Sequence, residues 1–529
     1  MILAGVIASL VLGPLLVIVY LAAFPTENIW PHLASTVLPR YAMNTIVLMV
    51  SVGAGALVLG TGLAYVVTHF EFPGRRWLQY ALLAPLAVPG YVGAYALVDF
   101  LEYAGPVQTG LRDLFGWANS REYWFPEIRS RGSAIVVLSL TLYPYVYLLA
   151  RASFKALPSS GQDVARSLGV SPFAQFWRVS LPLARPGIVA GTAVVMMETV
   201  NDFGTVEFFA VQTLTTGIFS VWLESSNVGG AAQLALCALA VIAILATIEK
   251  IGRQKLNFAK SGRQVQTLQP RPVQHGWRLT VLCLVPLVLG FLAPVLILIN
   301  LLEPMSEWRR GIFSAIQNSV VLGVLAGVIA VSLAMILVHG FRGMASSSQR
   351  GGLLMRFTAL GYAIPGAVLG LGVLIPLATV DRAMATVWMD WTGDRLGLLI
   401  TGSGAALVLA YVVRFFAIAI GSAEAGYAAI APSVPMAARS LGLGPGSLLW
   451  RVFRPLLRGT VASALVLVFV DSVKELPATL LLRPFNFNTL ATYTYDQASL
   501  EDLAGAAPGA LMIVAVSFAA VILLARFNR

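Results

Sequence analysis

Charged side chains inside apolar stretches are the residues of this sequence with the clearest chemical potential. They form two groups, which comprise Glu198, Asp202 and Glu207 in the first half and Asp471, Lys474 and Glu475 in the second. A charge at the centre of a bilayer costs about 2.5–3.5 kcal/mol on insertion scales, so each should face the protein interior or water. Acids four residues apart lie on one face of a helix. Such paired carboxylates can bind a hard cation or relay protons.

Two interpretations of these groups compete. In one, Lys474 neutralises its acidic neighbours and the cluster only holds helices together. In the other, the acids line a translocation path, because Glu198 and Asp202 recur 273 positions later as Asp471 and Glu475. The repeat favours the second interpretation. Gly204 and Pro477 follow the acids and should break each helix there, as in many transport proteins.

The elements that position these residues are membrane helices. The chain has 529 residues, of which 58% are hydrophobic and only 11% charged, with a mean hydropathy of +0.81. A soluble domain carries about 25% charged residues, so the composition predicts an all-α polytopic membrane protein. In such a protein the net charge of +11 reflects topology rather than nucleic-acid binding. About 20 apolar residues span a bilayer. The predicted spans are 2–23, 42–68, 78–102, 132–150, 187–208, 231–249, 279–301, 314–338, 353–378, 397–420, 460–482 and 507–525.

This pattern divides the chain into two repeats of six spans, 1–250 and 279–529, joined by a basic linker over 251–278. An even number of spans returns each half to its starting side, which predicts parallel repeats rather than an inverted pair. Most Lys and Arg residues lie on the side of the N-terminus and the linker, so both termini should be cytoplasmic. A duplication that merely enlarges the bundle is the alternative.

A polar segment, also repeated, precedes each acidic group. Between 163–187 and 436–460, 12 of 25 aligned positions are identical. Gly169 and Gly442 suit the end of one short helix, and Pro172 and Pro445 suit the start of the next. We expect a helix–turn–helix whose second helix ends near Pro182. It could dock a partner protein or lie on lipid headgroups as an amphipathic helix.

The repeated segments, over 157–187 and 430–460, resemble the EAA loop of binding-protein-dependent ABC importer permeases, the MetI-like type. The second copy departs from the pattern, with Met436 in place of the acid and Arg454 in place of a leucine. The resemblance implies that each loop docks a cytoplasmic ATP-binding subunit, two copies in all. It also implies a periplasmic or lipid-anchored binding protein and a bacterial inner membrane. The implied docking residues are Asp163, Ala165, Gly169, Pro172, Pro182, Ala438, Gly442, Pro445 and Pro455.

The chain itself should hydrolyse no ATP and bind no cofactor, since it lacks a G-x4-G-K-[ST] phosphate-binding motif. ATP and Mg²⁺ would be used by the partner subunit. The phrases beginning at Asp202 and Lys474 are similar to those of fused ferric iron permeases, and carboxylates suit a hard cation. Thiamine or a polyamine remains an alternative cargo. A secondary transporter with the acids as proton relays, or a channel or scaffold, is an alternative of another class.

Overall fold

A computed structural model gives the chain as a bundle of long helices. It describes residues 2–157, 167, 169–254, 270–305, 308, 310–343, 364–431 and 433–527. Within these ranges the only strands are the parallel two-residue pair β1, Phe70–Glu71, and β2, Arg271–Pro272. The predicted all-α polytopic fold is therefore confirmed.

The helices of the first half are α1 Ile2–Ala23, α2 Trp30–Ser35, α3 Leu38–His69, α4 Arg75–Ala81, α5 Gly90–Leu101, α6 Pro106–Phe115, α7 Arg131–Lys155, α8 Pro172–Gln175, α9 Leu181–Asn201, α10 Gly204–Phe208, α11 Leu214–Phe219 and α12 Val228–Gln254. The second half contains α13 Gly276–Leu287, α14 Ala293–Asn300, α15 Ile312–Gly343, α16 Gly366–Thr392, α17 Ala405–Ala429, α18 Ser433–Ser440, α19 Pro445–Leu448, α20 Arg454–Val473, α21 Pro477–Leu482, α22 Leu490–Ser499 and α23 Leu503–Phe527. A 3₁₀ turn covers Ala84–Ala87. Wider π turns cover Phe176–Ser180, Ser220–Glu224, Val288–Leu292 and Leu449–Phe453.

The number of spans differs from the twelve predicted. Ten helices in the described part of the chain are long and apolar enough to cross a membrane. An eleventh span results if the pair Arg75–Ala87 and Gly90–Phe115, bent by 86°, counts as one. The continuous span predicted at 78–102 is thus wrong, because Pro85 and Pro89 interrupt the helix. The equivalent predicted span, 353–378, begins in residues that the structure does not describe.

The two halves repeat the same elements at nearly constant spacing. Helices α3 and α15 have 32 residues each, and α7 and α17 have 25 each. Each half then contains a π turn, a long helix, a break and two short helices. Most of the predicted linker, 255–269, lies outside the described residues. Its end returns to the first half through the pairing of β2 with β1.

A polar pair near the start of α3 shows why part of the sequence repeat exists. The Asn44 side chain donates to the Gln212 carbonyl at 2.8 Å, and the Thr45 hydroxyl accepts from the Leu214 amide at 3.0 Å. These bonds satisfy backbone groups where the chain turns into α11. The second half repeats both, between Asn318 and Asn488 and between Ser319 and Leu490.

The first helix of each half packs against the other half. Helix α1 lies on α16 so closely that a Cβ on Gly372 would be 2.5 Å from the Pro14 carbonyl oxygen. The π turn between α13 and α14 approaches the first half similarly, because a Cβ on Gly290 would be 2.8 Å from the Leu140 carbonyl oxygen. The halves therefore exchange helices and share one hydrophobic core.

Candidate functional site

The first group of acids lies where a long helix breaks. Helix α9 ends at Asn201, and α10 starts at Gly204. Between them the Asp202 carboxylate accepts from the amides of Thr205 and Val206, both at 3.1 Å, and from the Thr205 hydroxyl at 2.8 Å. The carboxylate thus caps the free amides at the start of the short helix.

The second half repeats this arrangement. Helix α20 ends at Val473, and α21 starts at Pro477. The Glu475 carboxylate accepts from the amides of Ala478 and Thr479 at 3.1 and 3.0 Å, and from the Thr479 hydroxyl at 2.8 Å. The breaks predicted at Gly204 and Pro477 are present. As a result, the spans predicted at 187–208 and 460–482 are interrupted before their ends.

A repeated Pro-Gly pair makes room for each capping acid. A Cβ on Gly366 would lie 2.6 Å from both Arg414 Nη1 and Glu475 Oε1. A Cβ on Gly90 would lie 2.5 Å from the Thr205 hydroxyl and 3.5 Å from Asp202 Oδ2. Glycine is needed at both positions because the start of α5 or α16 presses directly on the broken helix.

A cavity of about 160 Å³ lies at the two breaks, with walls from both halves. Five of the six predicted path residues line it, namely Glu198, Asp202, Asp471, Lys474 and Glu475. Lys474 Nζ is 2.8 Å from Asp471 Oδ1. Glu207 is not among the lining residues, because the break at Asp202 redirects the chain before it.

Sequence reasoning missed several residues of this cavity. Arg414 on α17 reaches it and places Nη1 3.7 Å from Glu475 Oε1. Arg414 could have been found as the one charge within the predicted span 397–420. Tyr91 and Asn201 also line the cavity. The sequence pattern could not predict that Tyr91 lines the cavity, since its position depends on the bend after Pro89.

The two breaks touch each other beside the cavity. A Cβ on Gly204 would lie 2.8 Å from Leu476 Cδ2 of the other half. The Phe203 ring stacks on Phe219 at 3.9 Å and lies 6.0 Å from Tyr495 across the interface. Buried apolar side chains therefore close the junction next to the charged walls.

The repeated loop, where described, has the predicted turn. Helix α18 ends in a Schellman motif, in which Leu443 donates to the Ala438 carbonyl and Gly442 to the Arg439 carbonyl. Gly442 has φ +80° and Gly169 has φ +71°, values that glycine adopts without strain. Two predicted docking residues, Asp163 and Ala165, lie outside the described residues.

The second helix of each loop does not end as predicted. Pro182 and Pro455 lie in the first turns of α9 and α20. The π turns that precede these helices join them to the loop helices without a break. A proline has no amide to donate, so the wider turn absorbs the missing bond. The result is one uninterrupted element from the loop to the acids, 29 residues long over Phe173–Asn201.

The loops present aromatic side chains on their exposed surface. Phe173 is 75% exposed, Trp177 54% and Trp450 64%. Exposed aromatic clusters of this kind mark interaction surfaces. Ala438 is buried against Tyr427 and Phe453, so it supports the second loop from within and offers no contact surface. Pro172 and Pro445 begin α8 and α19, as predicted.

The cavity is not a ready-made metal cage. Throughout the described ranges, no group of three or more His, Cys, Asp or Glu side chains is arranged to hold a metal ion. Two carboxylates from each half face the cavity, accompanied by two cationic side chains. The arrangement can attract a cation without the closed coordination shell that would retain it.

Comparisons with known proteins agree with this architecture. Residues 56–256 match the family described as binding-protein-dependent transport system inner membrane component. The chain is 26% identical over 510 residues to the Fe(3+)-transport system permease protein FbpB 2 of Haemophilus influenzae, covering 92% of this chain and 90% of that protein. It is 25% identical over 210 residues to the molybdenum transport system permease protein ModB of Escherichia coli strain K12, covering 38% of this chain and 88% of ModB.

A third relative is the probable sulfate transport system permease protein cysT of Nephroselmis olivacea, 28% identical over 149 residues, covering 28% of this chain and 49% of that protein. All three are named as transport permeases, although their cargoes differ. Over most of its length the chain is therefore similar to the permease components of binding-protein-dependent ABC importers, and its membrane helices and duplicated loop agree with that role.

Proposed function

We propose that this permease carries ferric iron across the inner membrane. The observation that carries the proposal is the similarity to a protein named as an Fe(3+) permease over nine-tenths of both chains. The cavity supports it, because its charged lining residues are four acids and two bases, an excess of two negative charges. Oxygen-rich, negatively charged walls favour a hard cation and oppose an oxyanion such as molybdate or sulfate.

The proposed machine includes two cytoplasmic ATP-binding subunits, one on each loop, which use ATP and Mg²⁺. A periplasmic or lipid-anchored binding protein delivers the cargo from the other side. In this orientation both termini and both loops are cytoplasmic. Asp163 has no acidic counterpart in the second loop, where Met436 is exposed, so the two docking contacts should differ in strength.

The continuity of loop and membrane helix suggests how ATP hydrolysis drives transport. An α-helix rises 1.5 Å per residue, so the element over Phe173–Asn201 is a lever of about 43 Å. Its counterpart leads from the second loop through α20 to Asp471. Closure of the ATP-binding subunits on the loops would move both levers together. Because the levers carry the acids, their movement would separate the breaks and open the cavity.

Reconstitution of the complete transporter in proteoliposomes tests the cargo. With the binding protein outside and ATP inside, we expect uptake of radiolabelled Fe(III) and none of molybdate. Uptake of molybdate, thiamine or a polyamine in place of iron would overturn the proposal.

The same proteoliposomes test the energy source. We expect Fe(III) uptake to stop when ATP is omitted and to persist when a protonophore is added. Uptake that needs a proton gradient and no ATP would indicate a secondary transporter, with the acids as proton relays.

A further inference from the structure

The two walls of the cavity share their acids but not their cations. At a spacing of 273 residues, Glu198 corresponds to Asp471 and Asp202 to Glu475. At the same spacing, the two cations of the second half correspond to neutral residues of the first. These pairs are Thr141 with Arg414 and Asn201 with Lys474, and all eight residues line the cavity.

Packing supports this correspondence on α7 and α17. A Cβ on Gly187 would meet Ser153 on α7. At the corresponding contact in the second half, a Cβ on Gly426 would meet Thr460. Gly187 corresponds to Thr460 and Ser153 to Gly426 at the spacing of 273, so the two helices have the same register. The charge difference between the walls is thus a property of equivalent positions.

The second-half acids are neutralised within their own wall. Lys474 forms an ion pair with Asp471, and Arg414 lies beside Glu475. On the first-half wall, the Thr141 hydroxyl is committed to the Val137 carbonyl at 3.0 Å. Asp202 is held by Thr205 and Val206, and within the described residues it forms no salt bridge. Both cationic side chains that line the cavity, Arg414 and Lys474, therefore belong to the second half.

The same wall contains buried oxygens that lack a hydrogen-bond partner. Asn201 is 6% exposed and Tyr91 5% exposed, and both line the cavity. Neither Asn201 Oδ1 nor the Tyr91 hydroxyl has a partner within the described parts of the chain. Unpaired buried oxygens are costly, and both atoms can donate electron pairs to a cation.

We propose that the first-half wall, made by Glu198, Asp202, Asn201 and Tyr91, is a transit site for one multivalent cation. Arg414 and Lys474 keep the opposite wall from forming a second such site. A conduction pathway must bind its ion firmly enough to admit it and weakly enough to release it. Two walls of equal negative charge would hold a trivalent ion more tightly and slow its release. This inference rests on the proposed function, because it requires the cargo to be a cation.

Transplanting one second-half residue tests the site. Thr141→Arg places the Arg414 charge on the first-half wall, and Thr141→Met adds similar bulk without charge. Fe(III) uptake is measured with the complete transporter in proteoliposomes, and ATP hydrolysis stimulated by the binding protein shows that each variant is folded and coupled. We expect uptake by Thr141→Arg to be at least about tenfold lower than uptake by Thr141→Met, because the two variants share their bulk and differ in charge.

The possible outcomes distinguish a failure of the transit site from a failure of the proposed iron transport. Equal uptake by the Arg and Met variants, whether normal or lost, would overturn the transit site while leaving the iron proposal intact. A wild-type complex that imports no Fe(III) would overturn the proposed function itself.

The reverse transplant provides a binding measurement that does not depend on transport. Lys474→Asn gives the second wall the first-half residue and should leave Asp471 without its neutralising partner. Terbium(III), a trivalent ion that prefers oxygen ligands, serves as a luminescent probe on the purified permease. We expect the apparent dissociation constant to fall about tenfold relative to wild type. An unchanged or weaker affinity would contradict the role assigned to Lys474.

Discussion

The two halves of this permease share a scaffold and differ in charge. In both, a capped break ends the long helix, a glycine presses on the capping acid, and an asparagine anchors the following turn. Among the residues that the structure describes, only the second half places a cation from a neighbouring helix beside the capping acid. Backbone geometry has therefore been kept across the duplication, while electrostatics has diverged at the surface that faces the cavity.

The largest expected difference between the halves concerns the capping acids. Glu475→Gln keeps an oxygen that can cap α21 but leaves Arg414, whose side chain is 12% exposed, without the counter-charge beside it. Breaking such a pair costs about 3 kcal/mol, whereas Asp202→Asn should cost less than about 1 kcal/mol because asparagine caps almost as well as aspartate. Thermal unfolding of the detergent-purified protein measures both.

A double variant serves as the control for this comparison. Adding Arg414→Met to Glu475→Gln removes both charges and should recover most of the lost stability. Equal destabilisation by the two single variants would show that the ion pair is unimportant.

A second comparison uses the glycines that press on these acids. Gly366→Ala must part Arg414 from Glu475 and also crowd the Ala478 amide at 3.1 Å, so we expect a loss of about 2–3 kcal/mol. Gly90→Ala meets side-chain atoms, the Thr205 hydroxyl and Leu138 Cδ2, so we expect a smaller loss of about 1 kcal/mol, in which the Thr205 bond to Asp202 is weakened. Unfolding temperature and import rate are the measurements. A larger loss of stability in Gly90→Ala than in Gly366→Ala would show that the contact at Gly90 is the tighter of the two.

The two repeated loops can be compared through their turn glycines. Valine at a left-handed position costs at least about 1–2 kcal/mol, so Gly169→Val should distort the loop and uncouple ATP hydrolysis from import. Gly169→Asn is the matched control, because asparagine tolerates this conformation. Gly442→Val should act in the same direction at the second loop. Normal import with normal ATP hydrolysis in Gly169→Val would argue against a coupling role.

The smallest effect is expected from giving the second loop the acidic residue that the first loop has. Met436 is exposed, and Met436→Asp restores the acid that the first loop has in Asp163. An exposed charge contributes up to about 1 kcal/mol, so affinity for the ATP-binding subunit should rise by a few-fold at most. Titration of the purified subunits measures this change. Weaker binding would mean that the second docking site is built for an apolar residue.

The sequence predicted the acids of the cavity because charges in apolar runs are conspicuous and their spacing repeats. It missed Arg414 because a scan for hydrophobic runs tolerates one charge in a span. It misplaced Pro182 and Pro455, since proline usually ends a helix and nothing local reveals a π turn. Contacts between halves, such as Gly204 with Leu476, depend on the whole arrangement and leave no local pattern.

The exchange of first helices has a consequence for how the chain is made. During synthesis α1 is complete long before α16, the helix on which it packs. The first half, in turn, lacks the cover provided by α13 and α14 until residues beyond the linker have been inserted. Neither half can bury its surfaces alone, so each half completes its packing only after helices of the other half have been inserted. Because both halves are one polypeptide, the partner of each exchanged helix is always supplied by the same chain.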